Sequence, residues 1–329
     1  MAPQATGTPL RIGVLGCGDI AWRHTLPAMV RVPDVAPAAV ASRDLAKAER
    51  FAAEYGGVPV EGYENLLARA DVDAVYIALP AGLHHEWALR ALKAGKHVLV
   101  EKPVTTTLAE AEDLVATAEK CGRWLMDGFM FLHHSQHAAV RALLDEGAIG
   151  EPRMFSCAFG IPPRPAGDVR YQADLGGGAL LDVGVYTVRA AQLFLGDDLS
   201  VVGSMLQRDE ERGIDLGGNA LLCSGDGVPA ELSFSFRSGY RSMYAIWGSK
   251  GRLSLHRAFT PPATLRPMVR VTRQSGTEEI SLAADDQFGN MLRAFARAAR
   301  GETEFGPYRD TVLHHMGLID EIRSRARWV

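Results

Sequence analysis

The sequence predicts an α/β protein in two parts. The first is an N-terminal Rossmann-type, doubly wound parallel sheet. The second is a C-terminal α+β domain with a large open, mostly antiparallel sheet. Three observations predict this. Up to Gly128, short apolar strands alternate with helical patterns, as in βαβ units. The first strand runs straight into Gly16-Cys17-Gly18-Asp19-Ile20-Ala21. After Gly128 the alternation stops, and many short strands separated by turn signals follow. The expected domains are 1–128 for dinucleotide binding and 129–329 for substrate binding and self-association, with the last helix free to pack back on the first.

The bulk numbers fit this. The chain has 329 residues, 47% hydrophobic and 22% charged, enough for two cores. A net charge of −4 suggests neither a nucleic-acid nor an anionic-membrane partner. No apolar run approaches the ~20 residues that span a bilayer. The opening MAPQATGTPLR lacks a signal-peptide core and reads as a frayed leader. Cys17, Cys121, Cys157 and Cys223 are widely spaced without a CxxC pair. They read as free thiols, which points to a cytoplasmic location.

In the first half, Leu10 to Leu15 is the opening strand. Gly16 permits a tight turn, Gly18 lets backbone approach a pyrophosphate, and Ala21 allows close helix–strand packing. Cys17, Asp19 and Ile20 belong to the same phosphate turn. Pro27 cannot sit in a helix interior, so the following helix should break near Thr25 and restart at Pro27. The second strand, Ala36 to Ala41, ends in Ser42-Arg43-Asp44. An NAD site wants a carboxylate at this tip. A hydroxyl and a guanidinium instead suit a 2′-phosphate, so the sequence favours NADP(H), with Lys47 adding charge. The same residues also read as a helix cap at Asp44 and a solvated Arg43, and both readings can hold. Val72 to Leu79 is a buried strand, and a turn through Pro80 and His84 leads into a helix from His85 to Ala94. Gly95 caps that helix. Next come a strand from His97 to Val100, the charged exit Glu101-Lys102-Pro103, a helix from Leu108 to Lys120 and a strand from Arg123 to Met126. Ligands of such sheets bind beyond the carboxyl ends of the strands, where Leu79, Pro80, Glu101 and Lys102 stand.

In the second half, Ser135 to Glu146 reads as a helix. Strands are expected over 153–159, 201–207, 219–223, 230–237, 241–248, 252–256 and 269–273, and two helices close the chain over 286–300 and 308–325. After Gly176-Gly177-Gly178 comes an apolar helix from Ala179 to Phe194. It carries Asp182 and Tyr186 four residues apart, hence on one face. An acid and a phenol in such a helix are either a satisfied buried pair or face a cleft. His133 and His137 have the spacing of a zinc pair on a helix. No acid accompanies them, so they read as structural or cleft-lining, and no metal is expected.

Taken together, these residues resemble the glucose–fructose oxidoreductase / inositol dehydrogenase / MocA-like family. The resemblance rests on Gly16 to Ala21, Leu79-Pro80 with His84, and Ala94 to His97 leading into Glu101-Lys102-Pro103. It also rests on Gly147-Ala-Ile-Gly150 and on Gly176 through Tyr186. It implies that Lys102 lies beside the nicotinamide and that Tyr186 takes the acid/base position held by histidine in inositol-type members. The implied chemistry is hydride transfer between nicotinamide C4 and a sugar carbon. Tyr186 would protonate the developing alkoxide. Lys102 would stabilise that alkoxide and lower the phenol's pKa from ~10. Asp182 would orient the substrate or the lysine.

Within the family the chain looks most like the ketoreductases that reduce a C-3 ketone on a nucleotide-linked deoxysugar. The implied substrate is a dTDP-linked 3,4-diketo-2,6-dideoxyhexose on the way to an antibiotic sugar. Arg153, Arg164 and Arg170 are candidates to hold its diphosphate, and Tyr171 to stack on its base, against a reading of surface charge and loop packing. A homo-oligomer, dimer or tetramer, through the open sheet is expected. The alternatives are a family enzyme acting on free sugars or diols, and a non-enzymatic NADP(H) sensor, which could dispense with Lys102 and Tyr186.

Overall fold

Leu10–Leu15 (β1), Val35–Ser42 (β2), Val58–Glu61 (β3), Ala74–Ile77 (β4), His97–Val100 (β5) and Leu125–Asp127 (β6) form one sheet. Its order is β3-β2-β1-β4-β5-β6, and every pair is parallel. These strands belong to a computed structural model that describes residues 8–329. The expected leader falls largely on residues 1–7, outside the described residues. The order reverses between β1 and β4, the switch point at which such sheets hold ligands.

Helices Leu26–Arg31 (α1), Leu45–Tyr55 (α2), Tyr63–Leu67 (α3), His84–Lys93 (α4) and Leu108–Cys121 (α5) link the strands. The break expected near Thr25 is real. A π-helical turn over Ala21–Thr25 gives way to α1, with a proline at its start. Asp44 caps α2 and Thr107 caps α5, each side-chain oxygen accepting an otherwise unpaired N–H.

The chain divides into two compact units, residues 1–129 with 288–310, and residues 130–287 with 311–329. The segment returned to the first unit holds most of helix Gln287–Ala299 and the start of the last helix, Phe305–Ser324, rather than the whole last helix.

In the second unit, Ser135–Asp145 (α6) precedes a nine-stranded sheet. Its strands are Pro152–Gly160 (β7), Leu199–Asp209 (β8), Ile214–Ser224 (β9), Pro229–Ser235 (β10), Arg241–Gly248 (β11), Gly251–His256 (β12), Met268–Arg273 (β13), Gly276–Ser281 (β14) and Ala326–Trp328 (β15). Pairing is antiparallel except for β10 with β7 and β15 with β8. The sheet is therefore mixed. One face buries Phe155, Cys157 and Phe159 of β7 and Leu232 and Phe234 of β10. The other face carries Trp247, Met268 and Leu221, all at least 38% exposed.

Against the buried face lies helix Val185–Leu195 (α7). By length and apolarity the stretch Ala173–Leu195 would pass for a bilayer span, against the expectation from sequence. The reason it is so apolar is that 83% of its most apolar window is buried inside the protein.

Candidate active site

The first unit's site is built from strand ends. Gly16 N donates to Ala41 O at 3.0 Å, Ala78 N to Leu15 O at 2.9 Å, Glu101 N to Ile77 O at 3.0 Å and Gly128 N to Val100 O at 2.7 Å. These bonds continue the ladder past β1, β4 and β5, so Gly16, Leu79 and Lys102 form a row along one edge. Gly16 has φ +97°, and a Cβ there would stand 2.6 Å from Leu79 Cδ2 and 2.8 Å from Ala78 O. A Cβ on Gly18 would stand 3.0 Å from the same oxygen. The glycines thus let the turn press against the end of β4, while Cys17, Gly18 and Ile20 stay partly open. Bare backbone at this cradle fits a dinucleotide pyrophosphate. Asp19 is exposed and pairs with Arg23 at 2.9 Å.

At the tip of β2 the helix-cap reading holds. Asp44 caps α2 by accepting from Ala46 N at 3.1 Å, and Ser42 Oγ accepts from Asp44 N at 3.1 Å. Arg43 is exposed and reaches the Tyr63 hydroxyl. The Cys17 thiol, which burial pushes up to about 11, lies against Ser42 and feels Lys47 and Arg50. A hydroxyl among three cations suits a phosphate monoester.

Two residues expected at the cofactor also brace the strand exits. His84 is 1% exposed, with Nδ1 2.7 Å from Pro103 O and Nε2 2.8 Å from Leu79 O. It ties the turn after β4 to the turn after β5. Burial lowers its pKa, and the two carbonyl contacts oppose that shift. Glu101 is 8% exposed and accepts from Tyr76 Oη at 2.6 Å, and Tyr76 Oη stands 2.9 Å from Thr25 Oγ1. Both side chains help to hold the strand exit, and Lys102 is the partly open member of that exit.

In the second unit Tyr186 is 4% exposed, on α7. Its ring is caged by Phe159 at 5.1 Å, Phe259 at 5.4 Å and Phe131 at 5.7 Å between centroids. Its hydroxyl points at Met130 Sδ, 3.6 Å away, a weak acceptor. Asp182 lies one turn earlier, but that turn, Leu180–Gly184, is π-helical. The regular four-residue spacing assumed from sequence is therefore replaced by a wider turn.

Arg170 is not a free phosphate hook. Its Nε donates to Asp182 at 2.7 Å and its Nη1 to Asp168 at 3.1 Å. Attraction to Asp182, more than to Asp168, raises its pKa. Tyr171 is partly buried. Its hydroxyl accepts from Arg164 N at 2.9 Å, its ring meets Phe236 edge-on, and Arg212 sits 5.5 Å over it. The loop 161–178 thus gathers Arg164, Arg170 and Tyr171. Arg153 stands apart, near the start of β7 and exposed against Glu151 at 2.6 Å. Seven residues of strand, ~23 Å, separate it from the loop's start.

His137 is 3% exposed, with Nδ1 3.0 Å from Tyr244 Oη and Nε2 3.3 Å from Gln136 Nε2. Burial pushes it down to about 3, and His133 to about 4. The structural reading of His137 therefore holds. Among the described residues no group of three or more metal-ligating side chains occurs.

Comparison with known proteins adds the family. Residues 10–129 match the GFO_IDH_MocA oxidoreductase family with an NAD-binding Rossmann fold, and residues 137–254 match the GFO/IDH/MocA C-terminal domain. The chain belongs to the GFO/IDH/MocA family of oxidoreductases. It is 51% identical over 99% of its length to a dTDP-3,4-didehydro-2,6-dideoxy-alpha-D-glucose 3-reductase from Actinomadura kijaniata, covering 98% of that protein. It is 48% identical over 97% of its length to a reductase of the same name from Streptomyces antibioticus, covering 98% of it. A solved structure of a 3-ketoreductase from Actinomadura kijaniata, in complex with NADP and TDP-benzene, superposes with a TM-score of 0.95. The two are 52% identical, covering 98% of this chain and 99% of that one.

The two GFO/IDH/MocA matches between them span Gly16 to Ala21, Lys102, Arg170, Asp182 and Tyr186. Sequence reasoning missed Asp168 and Asp215. Asp168 had no signal beyond its place two residues before Arg170. Asp215 had one: it is the sole charged residue of β9, and a lone acid in an apolar strand needs donors. A groove of about 420 Å³ is lined partly by Gly160, Asn219, Ser233, Ser235 and Arg241. Strand alternation puts those residues on the face away from Tyr186, while Phe159, whose ring packs against Tyr186, also lines the groove.

Proposed function

We propose that the protein is an NADPH-dependent sugar ketoreductase that reduces the C-3 ketone of a dTDP-linked 3,4-diketo-2,6-dideoxyhexose, a step in deoxysugar biosynthesis for an antibiotic. The observation that carries this is full-length identity near 50% to several reductases named for that substrate. The Ser42, Arg43, Lys47 and Arg50 cluster supports the phosphorylated cofactor. When bound, NADPH supplies the hydride. Tyr186 donates its phenolic proton to the alkoxide oxygen left at C-3 and regains one from solvent. Lys102 offers positive charge to that oxygen. Asp182, fixed by Arg170, orients the reacting group. Arg164 and Tyr171 are the remaining candidates for the nucleotide end.

Self-association as a dimer or tetramer through the nine-stranded sheet is part of the reading, supported by the exposed Trp247, Met268 and Leu221. A cytoplasmic location is also part of it, supported by four unpaired cysteines.

The test is turnover of enzymatically generated dTDP-3,4-diketo-2,6-dideoxyglucose, followed by NADPH absorbance and product mass. A gain of two hydrogens is expected, with NADPH preferred over NADH. Tyr186→Phe should lose ~10²–10⁴ in kcat while still binding NADPH. Absence of turnover with active substrate and bound NADPH sinks the substrate assignment and redirects the search to free sugars and diols.

A further inference from the structure

The turn that carries Asp182 is clamped at both ends. At its start, Leu180 N donates to Asp215 Oδ2 at 2.7 Å, and Ala179 N faces the same carboxylate. Asp215 comes from β9, thirty-five residues away, and is 8% exposed. Gly178 has φ +121°, and a Cβ there would stand 2.5 Å from Asp215 Oδ1. Only glycine leaves that space. At the other end, a Cβ on Gly184 would already stand 3.2 Å from the Phe234 ring. Between the clamps Val185 N donates five residues back, to Leu180 O.

That bond defines the π register. An α-helix advances about 100° per residue, so slipping to a four-residue bond would swing Asp182 against Tyr186 by about that angle. Single π turns recur at functional sites, and this one has an anchor that is costly to keep. Burial pushes the Asp215 carboxyl up to about 6, with the Leu180 N–H bond first, and Arg323 after it, offsetting only part of that. A carboxylate is nonetheless suited to the place, because both of its oxygens accept, whereas an amide keeps one acceptor oxygen and puts an NH2 donor in place of the other.

We propose that Asp215 is a positioning residue for the proton donor: its carboxylate fixes the π-helical register of Leu180–Gly184 and so the direction in which Tyr186 leaves the helix. This rests on the reading of Tyr186 as the acid.

The experiment uses the full-length protein with Asp215→Ala and Asp215→Asn. kcat, KM for sugar and for NADPH, dTDP binding and the solvent deuterium isotope effect are measured. In Asp215→Ala, kcat should fall about tenfold to a hundredfold, the cost of a misplaced reacting group. NADPH KM and dTDP affinity should stay within about twofold. The isotope effect should grow as proton transfer becomes slower. Asp215→Asn, with one acceptor left, should fall between wild type and alanine, and it alone decides the matter if the alanine variant does not fold. Wild-type kcat and isotope effect in a folded variant, even one with a lower Tm, overturn the proposal. Failure of the wild type itself to turn over the sugar counts against the proposed function instead.

Discussion

Arg170 Nε stands 2.7 Å from Asp182 Oδ2. Two residues that the sequence assigned to different jobs, holding a diphosphate and orienting the reacting group, are one ion pair. The pair hangs the loop 161–178 on the helix that carries Tyr186. The glycine run closes the same junction, since a Cβ on Gly177 would stand 2.7 Å from the carbonyl oxygens of Arg170 and Gln172.

The pair makes a prediction that separates the two jobs. Arg170→Gln should lower kcat by about tenfold, the equivalent of one charge-assisted hydrogen bond. Affinity for dTDP should stay near wild type. Calorimetric titration of dTDP beside steady-state kinetics checks this. A large loss of dTDP affinity with kcat intact would return Arg170 to the diphosphate.

Cofactor choice rests on the tip of β2. Arg43→Ala should raise KM for NADPH by about tenfold to a hundredfold, as expected for a lost charge-assisted contact, and leave NADH kinetics nearly unchanged. The ratio of kcat/KM for the two cofactors is the readout. An equal loss with both would place Arg43 away from the 2′-phosphate.

The phosphate turn has no room for a side chain. Gly16→Ala puts a Cβ against Leu79 and Ala78 O in a backbone conformation that already costs about 1–2 kcal/mol for a residue with a Cβ. We expect NADPH binding, followed by fluorescence, to weaken at least about tenfold, and Tm to drop. Unchanged binding would mean that the turn moves freely off the end of β4.

Acid sensitivity follows from His137. Its folded pKa of about 3 lies below the unfolded value near 6.5. The unfolded chain therefore binds more protons between those limits, and stability rises with pH. The contribution is complete above pH 6.5 and is lost as pH falls toward 3. By pH 5 about 2 kcal/mol of it has been lost. Urea unfolding at pH 7 and pH 5 should show that loss, and His137→Gln should show a shallower pH slope from a lower starting stability.

What the sequence disclosed followed burial. β1, β5 and β11 have the residue limits that their patterns predict, because both neighbours and both faces constrain them. β3, β14 and β15 were missed, and each lies at a sheet edge. β3 contains Pro59 and none of its residues is fully buried, so no alternation marks it. Lys102 and Tyr186 stood out as polar residues at a strand exit and in an apolar helix. The π turn between Gly178 and Tyr186 did not, because its cause is a carboxylate from a distant strand. His84 and Glu101 stood out by their places beside the strand exits, while their bracing role depends on partners at Pro103 and Tyr76 that only folding brings near.

The return of residues 288–310 to the first unit bears on how the protein is made. The helix Gln287–Ala299 places Met291, Leu292 and Phe295 in the interior with no exposure, and Arg300 reaches the carbonyls of Thr8 and Asp34. On the ribosome, the six-stranded sheet is synthesised first but must wait for some 160 further residues before its last helix emerges. A gene cut after codon 129 would yield that unit without its closing segment, a client for chaperones rather than a portable nucleotide-binding module.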